Sequence, residues 1–329
     1  MDSFRTMVEV KPSARKITYS TPILFMGSCF SDAIGKKLTS LKFPVSYNPF
    51  GTLFNPASIA DDIRLLMQNK PYPADLLHFH NGQWISFHHY TGFSHPDKDA
   101  CLENINSRLA TSSALLRQAR FLFVTLGTAL TYRFNETGRI VANCHKIPAA
   151  AFTRYLLSPD DITGTFDNLL TDLKVFNTEL FVILSLSPVR YWKDGAVNNQ
   201  KSKAILHYAI DCLLEKHPDV QYFPAYEIFM DELRDYRFYA SDMLHPSESG
   251  SDYVFKRFTD AFMDEETTVL MKAIESLVKA TGHRPVNPVD PAYKTFLQHT
   301  IDAMNRLSEQ HPNIDFRDEV VALTKNMLP

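Results

Sequence analysis

Two short stretches of the chain combine residue types that can carry covalent chemistry. In Gly27-Ser28-Cys29-Phe30-Ser31 a hydroxyl and a thiol stand side by side, directly after the apolar run Ile23-Leu24-Phe25-Met26. If that run is a strand and a helix follows, both side chains sit at a helix N-terminus, where backbone N–H groups and the helix dipole favour developing negative charge. Much later, Ser241-Asp242-Met243-Leu244-His245-Pro246 sets an Asp three residues before a His. Such an Asp can hold one ring nitrogen and leave the other free as a general base. That is the orienting role in a nucleophile–His–Asp triad, whose members occur in any chain order.

The elements around these stretches are those of an α/β protein. Ile23–Met26, opened by Pro22 and closed by Gly27, reads as a buried parallel strand. Phe30, Ala33, Ile34, Leu38 and Leu41 then follow at helical spacing. Phe43–Tyr47 predicts a second strand, and Asn55-Pro56 supplies cap and first-turn chemistry for a helix through Ile59, Ile63, Leu66 and Met67. Residues 71–96, rich in aromatics and His, predict irregular structure or short antiparallel strands. Further strands are expected at Phe121–Leu126, Leu180–Leu186 and Val220–Phe223, with helices around Leu102–Leu109, from Ser158-Pro159 to Leu173, and over Ala204–Leu214. This alternation argues for a parallel sheet wrapped by helices. Beyond residue 250 the pattern is only helical: Arg284–Ala292, with Pro285, Pro288 and Pro291, suggests a linker, and Tyr293–Leu328 two amphipathic helices.

With Gly27-Ser28-Cys29-Phe30 early and Asp242-x-x-His245 late on such a pattern, the chain resembles the GSCFA family, a branch of the SGNH (GDSL-like) hydrolase superfamily, from about residue 20 to 262. Tyr47-Asn48-Pro49-Phe50-Gly51-Thr52, Thr125-Leu126-Gly127-Thr128, Ser187-Pro188-Val189-Arg190 and Leu233–Tyr239 resemble the family pattern as well. The resemblance implies a flavodoxin-like three-layer α/β/α domain over residues 1–262 with a helical C-terminal extension over 263–329. It also implies a nucleophile after the first strand, a Gly and an Asn completing an oxyanion hole, and the Asp-x-x-His pair. Gly51 is the candidate for the Gly, through its backbone N–H. The Gly-x-Asn expected after the third strand is here Gly127-Thr128-Ala129. Thr128 through its hydroxyl, or Asn143 from further along, would have to take the place of the amide. Losing one oxyanion donor costs on the order of 100- to 1000-fold in rate, which counts against an efficient esterase. The ungapped register of Gly-Asp-Ser-Leu on Gly27-Ser28-Cys29-Phe30 puts Cys29 at the nucleophile position. A shift by one restores Ser28 but turns the side chain by roughly 100° on a helical path. The register leans to Cys29, a thiol that a helix N-terminus and a His would activate, and both residues stay open.

Composition bounds the rest. The chain has 329 residues, 34 basic against 37 acidic, for a net charge of −3, so there is no electrostatic case for nucleic acid. No apolar run reaches the roughly 18 residues of a membrane span, and Met1-Asp2-Ser3-Phe4-Arg5 lacks the layout of a secretory signal. Cys29, Cys101, Cys144 and Cys212 are scattered without a CxxC pair, which points to reduced thiols in a cytoplasmic protein.

Each site residue also has a plainer role open to it. Asp242 and His245 could simply close the domain at a helix entry. Ser28 could cap the helix, Cys29 could be an inert buried thiol, and Gly51 could serve only a turn after Pro49. The histidines His78, His80, His88, His89 and His95 interleave with Trp84, Phe87, Tyr90 and Phe93 and lack a flanking Cys pair or HExxH. A cleft wall or packing is expected there, not a metal. Cys144 and His145, as neighbours, would point to opposite faces if on a strand. The run Asp231, Arg234, Asp235, Arg237 reads as solvated surface, whereas Arg190, just past a strand end, is placed as a cleft residue would be.

The expectation is thus an ester hydrolase or acyltransferase working through an acyl-enzyme on a small-molecule or carbohydrate ester, with no metal or organic cofactor. The alternative is a binding or scaffold protein on a hydrolase fold that has lost its chemistry.

Overall fold

In a computed structural model, residues 4–283 and 290–327 are described. Two compact units emerge: Met1–Lys11, Pro22–Gly35 and Val45–Phe258 form the first, and Pro12–Thr21, Lys36–Pro44 and Thr259–Pro329 the second.

The chain runs through β1 (Ile23–Gly27), α1 (Cys29–Ser40), β2 (Val45–Tyr47), α2 (Pro56–Gln68), β3 (Leu77–His80), β4 (Gln83–Ser86), α3 (Lys98–Gln118), β5 (Phe121–Leu126), β6 (Leu130–Phe134), β7 (Ile140–Val141), β8 (Phe152–Leu156), α4 (Pro159–Phe176), β9 (Phe181–Leu186), α5 (Gly195–Lys216), β10 (Gln221–Phe223), α6 (Ala225–Glu227) and α7 (Glu248–Phe262). The helices α8 (Glu265–Thr281), α9 (Pro291–Gln310) and α10 (Arg317–Met327) complete it.

The first unit is built on a parallel sheet in the order β10-β9-β5-β1-β2. Counting only its own strands in chain order, this is the 2-1-3-4-5 arrangement of flavodoxin-like folds, whose order reverses between β1 and β5. A crevice beyond the carboxyl ends of those two strands is therefore where a ligand belongs, and the Ser28-Cys29 turn lies there. One face of the sheet buries Leu24, Met26, Leu122, Val124, Val182 and Leu184 against α2, α3, α4 and α5. On the other, the rings of Phe25, Phe123 and Phe223 pack on Phe258 of α7 at centroid distances of 6.1, 5.2 and 5.8 Å.

The helix starts follow local chemistry. Asn55 caps α2 by accepting from Ser58 N, ahead of Pro56. Ser158 and Asp161 close a reciprocal capping box ahead of α4, with Pro159 at its first position. Three departures from the sequence expectation stand out. β2 starts at Val45, after Phe43 and Pro44. α5 starts at Gly195, well before Ala204; its first turns are polar because Asn199, Ser202 and Lys203 are buried with partners waiting for them. And β6, β7 and β8 form an antiparallel sheet that the reading above did not anticipate. The aromatic segment 71–96 does contain an antiparallel pair, β3 with β4.

In the second unit, α8 to α10 bury Ile274, Leu297, Met304, Phe316 and Leu323. Tyr19 stacks on Phe43 at 4.1 Å, and Lys42 pairs with Glu319. Of the linker expected over 284–292, residues 284–289 lie outside the described residues, and Pro291 already opens α9. No described helix is long and apolar enough to cross a membrane.

Candidate active site

The turn after β1 is shaped by Gly27, at φ +126°; a Cβ there would lie 2.1 Å from the Thr125 carbonyl oxygen of β5. Only glycine lets the two strand ends approach this closely. Ser28 N–H then donates to Thr125 O at 3.1 Å. Asn48 fixes the same turn from the loop after β2. Its Oδ1 accepts from Gly27 N at 2.7 Å, and its Nδ2 donates to Asp32 Oδ1 of α1 at 2.8 Å and to Ser28 O at 3.4 Å. Thr52 donates to the other Asp32 oxygen at 2.7 Å. The stretch 47–52 therefore acts as a clamp on the first turn of α1.

Within that turn the two candidate nucleophiles differ. Ser28 is 1% exposed and its Oγ accepts from Phe30 N at 3.3 Å, as a cap does. Cys29, the first residue of α1, is only partly buried. Its thiol is not activated as expected. Burial, then the Asp32 carboxylate, push it up to about 11, against a pull down from the nearby N–H groups and from Lys203. Desolvation of the thiolate outweighs the helix terminus here.

Lys203 escaped the sequence reading. It is fully buried on α5, and its Nζ donates to Gly127 O at 3.0 Å and to Ser187 O at 2.6 Å, bracing the ends of β5 and β9. Burial draws it down to about 7; Cys29 and Glu227 raise it and Arg190 lowers it further. A signal was present: Lys203 falls on the buried stripe of α5 with Leu206, Ile210 and Leu213, where a lysine has no reason to be unless it is bonded.

The Asp-x-x-His loop is self-contained. Asp242 Oδ2 meets His245 Nδ1 at 2.6 Å, while its Oδ1 accepts from Leu244 N and His245 N, both at 2.9 Å. Those N–H groups and the ring hold the Asp242 carboxyl down at about 2. Ala240 N to His245 O and Met243 N to Ala240 O close the turn around Met243, whose φ is +58°. The His245 side chain is 50% exposed. No hydrogen bond joins it to Ser28 or Cys29 among the described residues, so the Asp–His half of a triad is formed and its link to a nucleophile is open.

The other predicted site residues, Arg190 apart, are engaged elsewhere. Gly51 N–H donates to Asn48 O at 2.8 Å; at φ +91° the residue leaves room for the Tyr90 ring, which a Cβ would meet at 2.3 Å. Its N–H is thus spent on the turn. Gly127 N and Thr128 N both donate to Phe54 O, at 2.9 and 3.0 Å. The Thr128 hydroxyl bonds Ser202 Oγ at 2.9 Å and accepts from Leu130 N at 3.1 Å. Asn143 Oδ1 accepts from His145 N at 2.9 Å and shapes the loop after β7. Arg190 lines a cavity of about 400 Å³ together with Trp192, Tyr236, Tyr239 and Asp242.

The histidine-rich segment folds into a hydrogen-bonded wall. His88 Nδ1 meets the fully buried Asp62 at 2.8 Å, and Ser86 Oγ joins His89 Nδ1 at 2.8 Å to Tyr72 OH at 2.9 Å. His145 Nε2 reaches Ser86 O at 2.7 Å. Among the described residues, no three His, Cys, Asp or Glu are arranged to hold a metal ion.

Sequence comparison matches residues 22–258 to the GSCFA family and residues 274–328 to the C-terminal domain of GSCFA domain proteins. No curated protein matches the sequence. Among solved structures, the chain is similar to an acetyl xylan esterase from the rumen bacterium Butyrivibrio proteoclasticus, at 13% identity and a TM-score of 0.38. The similarity covers 74% of this chain and 64% of that one, so this chain spans under two thirds of the esterase's length.

Proposed function

The chain belongs to the GSCFA family, and we propose that it hydrolyses or transfers acyl groups of a small-molecule or carbohydrate ester through a covalent intermediate. Cys29 is the nucleophile, and His245, oriented by Asp242, is the general base. The observation that carries this reading is the 2.6 Å contact between His245 Nδ1 and Asp242, which leaves Nε2 of a half-exposed ring without a partner among the described residues. An imidazole held by one nitrogen and offering the other is what a general base requires.

The choice of Cys29 over Ser28 rests on exposure and on bonding, since Ser28 is 1% exposed with its Oγ spent on a cap and Cys29 is only partly buried. A thiol held protonated by burial needs a base, and the proton would pass from Sγ to His245 Nε2 as sulfur adds to the ester carbonyl. The carbonyl oxygen takes up the electron pair. The tetrahedral adduct collapses by expelling the alcohol, which leaves with the proton from His245. Water or a second acceptor then repeats the sequence on the thioester. With the Gly51, Gly127, Phe30 and Ser31 N–H groups already engaged, the Cys29 N–H is the first-turn donor of α1 that can meet the oxyanion. A reducing, cytoplasmic setting suits a thiol nucleophile, and the four cysteines, none in a disulfide, support it.

Treating the full chain with iodoacetamide and with a fluorophosphonate, and mapping the adducts, tests the assignment. A Cys29 adduct with iodoacetamide that slows in His245→Ala is expected. Absence of labelling at both Cys29 and Ser28 would overturn it. The open link between His245 and Cys29 favours a second reading, a binding protein on a hydrolase fold. In that case His245→Ala would retain all ligand binding and no acyl adduct would form.

A further inference from the structure

Of all the charged groups around the Asp242–His245 loop, one has no counter-ion. In the cavity of about 400 Å³ beside the loop, Asp242 is matched by His245, Arg234 by Asp231 at 2.5 Å, and Asp235 by Arg237 at 3.4 Å. Arg190 makes no ion pair and no side-chain hydrogen bond with any described residue, and its Nε is buried without a partner. Its guanidinium lies over the Trp192 ring at 4.8 Å, which fixes the plane of the donor fork. A partly buried cation left unpaired costs free energy, and a ligand that supplies the anion recovers it.

The walls narrow the choice of anion. Trp192 is 44% exposed and Tyr236 76%, large rings left open to solvent where a flat apolar face could lie. Asp235 and Asp242 share the lining, so a dianion would meet two carboxylates across a small space. A planar monoanion matches the guanidinium fork with two parallel N–H···O bonds and adds the least repulsion. The volume suits a group of one ring.

We propose that this cavity binds the carboxylate of an acidic substrate, gripped by Arg190 and flanked by Trp192 and Tyr236, and so presents the substrate's ester to His245. The part about the ester rests on the acyl-enzyme reading above; the carboxylate site stands on the cavity alone.

Trp192 is one of two tryptophans in the chain and can report on the site directly. Its signal is the difference in fluorescence between wild type and Trp192→Phe. On titrating the full chain with benzoate, this difference should change saturably in the millimolar range of a single charge-assisted contact. Benzamide, its neutral isostere, should bind roughly tenfold more weakly or worse. Arg190→Met should bring benzoate down to the benzamide level, and Arg190→Lys should restore part of the difference, which controls for folding. The proposal is overturned if benzoate and benzamide behave alike, if neither gives a saturable change, or if Arg190→Met leaves benzoate unaffected. It also fails if inorganic phosphate binds more tightly than benzoate with the same dependence on Arg190. A benzoate site without any Cys29 adduct would sink the acyl-enzyme reading and leave this one standing; the converse pattern would do the reverse.

Discussion

The nucleophile turn and the Asp-x-x-His loop are held in opposite ways. Gly27 and Ser28 are tied directly to Asn48 and Thr125, and Asn48 and Thr52 hold Asp32 of the following turn, so the region draws on β5, α1 and the loop after β2, and the ends of β5 and β9 beside it are braced by Lys203. Asp242 and His245 are held almost wholly by bonds within residues 240–245 and stand half in solvent. The first region is bound up with the stability of the sheet; the second is an accessory that could change without unfolding anything. Such a division lets one partner of a reaction stay rigid while the other adjusts to a ligand.

Substitutions at the two regions should therefore separate stability from activity. The largest loss of stability is expected for Gly27→Ala, which combines positive φ with a backbone contact at 2.1 Å. It should cost about 3 kcal/mol or more in denaturant unfolding. Asn48→Ala should follow at about 2 to 3 kcal/mol, because it strands the Gly27 N–H and one oxygen of Asp32. Asp242→Ala should leave the unfolding midpoint near that of wild type, yet lower ester turnover by roughly 100- to 10,000-fold. A midpoint that falls as far as that of Asn48→Ala would break the comparison.

Lys203 offers a test through pH. Its folded-state pKa is lowered from 10.5 to about 7, so between those values the unfolded chain holds more protons and stability rises with pH on its account. Wild type compared with Lys203→Met should show that rise, at up to about 1.4 kcal/mol per pH unit. A difference that is flat from pH 7 to 10 would mean that the ammonium is not desolvated. The smallest effect concerns the thiol itself. Alkylation of Cys29 should climb toward pH 11, and Asp32→Asn should lower that midpoint by about one pH unit.

What the sequence revealed follows the same division. Asp242-x-x-His245, the Asn55-Pro56 cap and the Ser158-Pro159 helix start are local patterns, each readable within a few residues of chain, and both helix starts lie where they were expected. The parallel strands were legible because β1, β5 and β9 are apolar on both faces. The β6–β8 sheet was not: Phe152–Leu156 pairs with Leu130–Phe134 across a long connection, and no short-range pattern announces it. Lys203 shows in the sequence only as a lysine on an apolar stripe, because its partners are backbone carbonyls of Gly127 and Ser187, which leave no trace in residue type. Gly51 shows the limit from the other side. A glycine in the right place can be recognised, but not that its N–H is already given to Asn48 O.

The central claim is that Cys29 and His245 act together on an acyl group. Incubating the full chain with p-nitrophenyl acetate, quenching in acid and mapping the acetyl group by mass spectrometry tests it most directly. A thioester on Cys29 that is absent from Cys29→Ser and strongly reduced in His245→Ala is the result predicted. An acetyl group on neither Cys29 nor Ser28, or one on Cys29 that forms equally fast without His245, would contradict it.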